Sequence, residues 1–305
     1  MKKDFISIWN LETKEIHEIF HLAEDLRDIT FKKDGSYQPL KGKTCVLIFE
    51  KPSTRTRVSF EVAAYQLGAA SIFLSAQDIH LGKSESLEDT AKVLSRYAQA
   101  IVIRTYEQKR VERFAKTADI PVINALTNLL HPCQVMADYY TLWREGKLNQ
   151  NMKMAYVGDG NNVCHSLILG AAKLGVELII ASPEKYKPQS LFMKKIKGKE
   201  LKKRITITTN PEIAVEKADV IYTDVWVSMG QEKEKDEKEK IFKPYQVNKS
   251  LLSLAKPDAM VMHCLPAHRG HEITDEVIDG KNSIVWEQAE NRLHIQKALL
   301  IKLMS

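Results

Sequence analysis

Residues 44–68 read TCVLIFEKPSTRTRVSFEVAAYQLG, and the order of residue types within them decides the fold. The run 44–49 (TCVLIF) is apolar and rich in strand formers, so it reads as a buried strand. Pro52 breaks it, and residues 53–67 then carry helical periodicity that stops at Gly68. A strand that passes through a polar turn into a helix is the first half of a parallel crossover unit.

Working outward, the same unit recurs. On the N-terminal side Thr13 can cap a helix whose apolar residues Ile16, Ile19, Phe20, Ala23 and Leu26 follow helical spacing. On the C-terminal side the apolar runs 71–74, 100–103 and 121–123 read as strands, with helical segments near 86–97 and 107–117. A helix from Pro132 to Glu145 ends at Gly146. The polar stretch KLNQNMK then marks a boundary near residue 148. Beyond it the alternation resumes, with strands expected near 154–157, 177–181, 205–207, 220–223, 259–262 and 284–285. The last segment, AENRLHIQKALLIKLM, has Leu293, Ile295, Leu299, Leu300 and Leu303 around most of its circumference, so it should be buried and cross back to the first domain.

The expected architecture is therefore α/β, with two similar-sized domains, each a parallel sheet flanked by helices. The first comprises residues 1–148 with a returning helix at 288–305, and the second residues 149–287. A chain of 305 residues, 44% hydrophobic and 28% charged, is long enough for two cores.

Composition also narrows the function classes. The net charge of +6, from 45 basic and 39 acidic residues, is modest and dispersed, which argues against a nucleic-acid surface. Cys45, Cys133, Cys164 and Cys264 form no C-x-x-C pair, so neither a zinc knuckle nor a disulfide framework is indicated and a reducing cytoplasm is expected. His263, Cys264 and His268 lack zinc spacing, and no metal is expected. Neither a signal peptide nor a membrane span is expected. The charged run Glu232 to Lys240 reads as a solvated surface, with room for a mobile lid between two site motifs.

Several short motifs could carry chemistry. Pro52-Ser53-Thr54-Arg55-Thr56-Arg57 brings helix-start amides, hydroxyls and guanidiniums together, a phosphate-binding arrangement without a Gly-rich loop. Its bland reading is that Ser53 only caps the helix while Arg57 pairs with Glu61 one turn on. Arg104 ends a strand, and His131-Pro132-Cys133-Gln134 opens a helix; taken singly, these are a surface ion-pair partner and a helix-end hydrogen-bonding residue. Asp224-Val225-Trp226-Val227-Ser228-Met229-Gly230 and His263-Cys264-Leu265-Pro266 each follow a strand, where open parallel sheets bind ligands. Alone, Asp224 is a helix cap and Cys264 an inert filler. Gln288-Ala289-Glu290-Asn291-Arg292 opens the final helix.

Together, in this order, these motifs resemble the aspartate and ornithine carbamoyltransferase family over nearly the whole chain. The resemblance implies a carbamoyl phosphate site built from Ser53, Thr54, Arg55, Thr56, Arg104, His131, Gln134, Cys264, Leu265 and Arg292. His131, Arg104 and Cys264 would serve the chemistry, with Leu265-Pro266 a candidate cis peptide. The Asp224 to Gly230 segment resembles the ornithine-specific members, in which Asp224 holds the side-chain amine, Ser228 and Met229 meet the head group, and Asn162 assists. The family's loop at Gln77 to Ser86 reaches a neighbouring subunit's site, with His80 standing where glutamine is usual. A homotrimer with sites at subunit interfaces, carbamoyl phosphate and ornithine as substrates, citrulline and phosphate as products, no organic cofactor and a role in arginine metabolism follow from the same resemblance.

Three other readings stay open on sequence. A relative using putrescine, an acylated ornithine or aspartate would share the donor motifs. A dinucleotide-dependent dehydrogenase is suggested by Gly158-x-Gly160, but Val163 stands where the third fingerprint glycine belongs. A noncatalytic relative would be expected to lose polar site residues, whereas Arg55, His131 and Cys264 are all present.

Overall fold

The computed structural model describes residues 4–31, 37–75, 85–227 and 235–305. His80, Ser228 and Met229 lie outside them, so the roles expected for these three have no structural description.

The chain divides into two compact units, one of residues Met1–Tyr140 with Glu290–Ser305 and the other Thr141–Ala289. The first begins with helix α1 (Thr13–Phe31), whose start is closed by Glu15, the carboxylate accepting the Glu12 N–H over 2.7 Å. There follow β1 (Thr44–Phe49), α2 (Thr54–Gln66), β2 (Ala70–Ser75), α3 (Leu87–Tyr97), β3 (Ala100–Arg104), α4 (Gln108–Thr117), β4 (Val122–Leu126) and α5 (Pro132–Arg144). The four strands form a parallel sheet in the order β2-β1-β3-β4. β3 and β4 are wholly buried, which is why they are mostly apolar rather than alternating, with Asn124 and Arg104 the polar exceptions.

The second unit contains β5 (Lys153–Val157), α6 (Asn162–Leu174), β6 (Glu177–Ala181), α7 (Ser190–Lys195), α8 (Lys199–Lys203), β7 (Ile205–Thr208), α9 (Pro211–Val215) and β8 (Val220–Thr223). After these come α10 (Lys235–Phe242), α11 (Lys249–Leu252), β9 (Met260–His263) and α12 (Asp275–Ile278). Its parallel sheet has the order β7-β6-β5-β8-β9. The strand expected at 284–285 is absent. Ser283 makes only an isolated bridge to Val261, and Val285 already opens α13 (Val285–Met304), because Pro-free helix formers follow it directly.

The last sixteen residues belong to the first unit, where Lys302 pairs with Glu18 of α1 at 2.8 Å and Arg27 of α1 pairs with Glu290 at 3.0 Å. Ile295, Leu299 and Leu300 of α13 are fully buried. Among the described residues, no helix is long and apolar enough to cross a membrane.

Both sheets reverse their direction of growth once, between β1 and β3 in the first and between β5 and β8 in the second. At such a reversal the flanking loops diverge to opposite faces and leave a crevice beyond the carboxyl ends of the strands. The segment 50–53 follows β1 and Arg104 ends β3; Gly158 to Asn161 follow β5 and Asp224 follows β8. The Ser53 motif and Arg104 thus fall at the first crevice and Asp224 at the second, whereas His131 to Gln134 follow β4, His263 to Pro266 follow β9 and Arg292 lies on α13.

Candidate active site

In the first unit the residues around the β1/β3 crevice bring several cations together. Ser53 caps α2, its hydroxyl accepting the Thr56 N–H at 3.2 Å. The Thr54 and Arg55 amides, in the first turn of α2, have no intrahelical acceptor and point out of the helix end. Arg57 leaves the cluster, pairing with Glu61 at 2.9 Å and lying 3.6 Å over the Phe73 ring.

Arg292, from α13, is buried and donates to Thr56 Oγ1 at 2.7 Å. Arg104 is buried at the end of β3, and its Nε has no hydrogen-bond partner among the described residues. Burial, then Arg292 and Arg55, push its pKa down to about 10, which still leaves the guanidinium charged at neutral pH. A bound anion would relieve all three causes, since it replaces lost solvation and opposes the like charges.

His131 and Gln134 complete this cluster from the start of α5. Burial, followed by Arg292, Arg104 and Lys51, holds the His131 imidazole well below its ordinary pKa. A neutral imidazole can still donate one N–H to a carbonyl oxygen. Gln134 donates to Asp138 at 2.9 Å, while its Oε1 is buried with no partner among the described residues. An orphaned amide oxygen and an orphaned guanidinium N–H in the same unit suit a ligand that has both an N–H donor and an anionic group. Lys51 was missed from sequence: it is buried, donates to Asn128 at 2.8 Å and adds its charge to His131. Its position two residues before Ser53 was the available signal.

In the second unit the β5/β8 crevice is anionic. Asp224 is buried and accepts from Cys264 Sγ at 2.9 Å, from Val225 N at 2.8 Å and from Asn161 Nδ2 at 2.6 Å. Asn161 also caps α6 through its Oδ1, so one side chain fixes both the helix start and the carboxylate. Sequence reasoning missed Asn161 and selected its neighbour Asn162, which opens α6. Tyr156 donates to the Asp159 carbonyl at 2.7 Å, and burial first, then Asp224, keep its hydroxyl protonated.

The His263-Cys264-Leu265-Pro266 segment is held from below. His263 lies between Glu272, 3.0 Å from Nε2, and the Leu265 N–H, which donates to Nδ1 over 2.8 Å. Nδ1 must therefore carry the lone pair and Nε2 the proton. Leu265-Pro266 is cis, and Leu265 has φ 55°. Asp224, His263 and Cys264 present ligand atoms within 4.8 Å of one another, a grouping that could attract a metal ion. With both His263 nitrogens already engaged, only a carboxylate and a thiol remain, too few for a structural zinc site.

Residues 3–144 match the aspartate/ornithine carbamoyltransferase carbamoyl-P binding domain, and residues 150–303 the Asp/Orn binding domain of the same family. The chain belongs to the aspartate/ornithine carbamoyltransferase family. It is 50% identical over 300 residues to the ornithine carbamoyltransferase of Syntrophus aciditrophicus, covering 98% of this chain and 99% of the relative. It is also 50% identical to the anabolic ornithine carbamoyltransferase of Pyrococcus furiosus, covering 99% of this chain and 96% of the relative. The solved Pyrococcus furiosus structure superposes with a TM-score of 0.93 at 49% identity, covering 99% of this chain and 96% of that one. The Thermus thermophilus ornithine carbamoyltransferase structure gives 0.88 at 37% identity, covering both chains fully.

Proposed function

We propose that the protein transfers the carbamoyl group of carbamoyl phosphate to the side-chain amine of L-ornithine, releasing L-citrulline and phosphate. The observation that carries the acceptor assignment is the buried Asp224 carboxylate with its three donors. A cationic side chain is attracted there, whereas the side chain of aspartate would bring a second carboxylate into a desolvated site.

The donor assignment rests on the cationic cluster. The phosphate is held by the α2 start, Ser53, Thr54, Arg55 and Thr56, with Arg104 and Arg292. His131 and Arg104 donate to the carbamoyl oxygen as charge develops on it, and Gln134 Oε1 takes its N–H. Cys264 and Leu265 border the same carbamoyl group, and Asn162, Ser228 and Met229 receive the amino-acid head of ornithine. Domains 1–148 with 288–305, and 149–287, carry donor and acceptor respectively.

The amine must attack as the free base, with its lone pair forming the new C–N bond as the C–O bond to phosphate breaks. With a lysine-like pKa of about 10.4, fewer than about one ornithine in a thousand is in that form at pH 7. Asp224 orients the ammonium but favours its protonated state, so the proton leaves through the Cys264 thiol, the phosphate or solvent. The four free cysteines fit a reducing cytoplasm, and the family likeness supports a homotrimer in which His80 reaches a neighbour's site. The anabolic name of the Pyrococcus furiosus relative supports a place in arginine biosynthesis.

The test is citrulline formation from carbamoyl phosphate with ornithine, putrescine, N-acetylornithine and aspartate as parallel acceptors, and Arg55→Ala as control. Arg55-dependent turnover with ornithine alone is expected. Preference for another acceptor would overturn the Asp224 argument, and no turnover with any would favour a noncatalytic role.

A further inference from the structure

Within the charged run that opens α10, Lys235, Asp236, Glu237 and Lys240 are exposed as a solvated surface should be, but Lys238 is only 1% exposed. This corrects the expectation of a uniformly solvated run. Lys238 and Phe242, one helical turn apart, are the buried residues of α10. The Lys238 ammonium lies 2.7 Å from Asp159 Oδ2, donates to the Trp226 carbonyl at 3.0 Å and sits 4.9 Å from the Tyr186 ring centroid.

Those two acceptors belong to the two segments that shape the acceptor crevice. Asp159 lies in the turn after β5, two residues before Asn161, and its carbonyl is fixed by Tyr156. Trp226 lies two residues after Asp224, following β8. Asn161 spans the crevice to Asp224 at 2.6 Å. One buried cation therefore ties the segment after β5 to the segment after β8, and Coulomb attraction in a desolvated setting makes the tie stiff.

We propose that Lys238 is a positioning residue for the acceptor amine: by joining Asp159 to the Trp226 carbonyl it holds the Asn161–Asp224 pair at the spacing that receives an ammonium side chain. It rests on the reading of Asp224 as the acceptor site and does not touch substrate itself. The donor cluster belongs to the other unit.

Lys238→Met, Lys238→Arg and the double variant Lys238→Met/Asp159→Asn test it, with steady-state KM for ornithine and for carbamoyl phosphate measured separately and folding checked by urea unfolding. The double variant leaves no unpaired carboxylate buried, so it stays folded even where the single one does not. The expected result is an ornithine KM raised about tenfold or more in Lys238→Met and in the double variant, a carbamoyl phosphate KM within about twofold, and substantial recovery in Lys238→Arg. Unchanged ornithine KM in the folded double variant, or equal rises for both substrates, would overturn the proposal. Wild-type turnover with ornithine separates this from failure of the acceptor assignment, which would already show as no ornithine-dependent citrulline.

Discussion

Arg292 NH2 donates to Thr56 Oγ1 over 2.7 Å, joining residues 236 positions apart in the chain. The final helix thereby supplies a guanidinium to the start of α2, where the expected donor phosphate meets helix amides. Because Arg292 is buried, it cannot be replaced by water without loss.

Arg292→Met is expected to raise the carbamoyl phosphate KM by roughly 10- to 150-fold, the equivalent of one charge-assisted hydrogen bond at about 1.5–3 kcal/mol. The ornithine KM should change little. Initial-rate measurements at varied carbamoyl phosphate check this, and an unchanged donor KM would remove Arg292 from the site.

Cys264 is half-buried, whereas Cys45, Cys133 and Cys164 are buried. Burial pushes the Cys45 and Cys133 thiols up to about 12 and the Cys164 thiol well above its ordinary value. Brief treatment of the native protein with iodoacetamide should therefore label Cys264 first, with loss of activity in proportion. Peptide mass spectrometry reads the site; labelling of Cys133 before Cys264 would contradict the described burial.

The rate with subsaturating ornithine should rise by nearly tenfold per pH unit from 7 to 9, following the free-base fraction of an amine near 10.4. His131 adds no limb of its own in this window. Its pKa is depressed below 6.5, so the imidazole is already neutral at pH 7 and remains so on going alkaline. A pH–rate profile that is flat from 6 to 9, with product release shown not to limit turnover, would be inconsistent with this account.

A Cβ at Gly160 would lie 2.2 Å from Pro188 N and 2.6 Å from the Tyr186 carbonyl, both backbone atoms that cannot swing aside. Gly160→Ala must push the turn after β5 away from residues 186–188, costing about 1–3 kcal/mol or more. A lowered urea midpoint together with a raised ornithine KM is expected. A variant as stable and active as wild type would show that this turn moves freely.

Much of the fold was legible because parallel strands buried on both faces must be apolar runs, and Pro52, Gly68 and Gly146 punctuate them. The failure at 284–285 is equally physical: two apolar residues bridge to β9 in one register or start a helix in another, and periodicity over so short a run does not separate the two. The run at 232–240 shows the same limit, since local charge density says solvent while one lysine, Lys238, finds a buried carboxylate.

What the sequence by itself determined was the alternation of strands and helices and the residue types able to bind an anion or an amine, because these depend on local spacing and side-chain chemistry. What only the tertiary structure decided was which of them meet. Arg292 reaches Thr56, Asn161 rather than a neighbour holds Asp224, and Cys264 comes to lie 2.9 Å from that carboxylate. Within the first unit the Arg292 contact follows from where the final helix packs, and within the second the Asp224 contacts follow from the strand order; no local pattern encodes either.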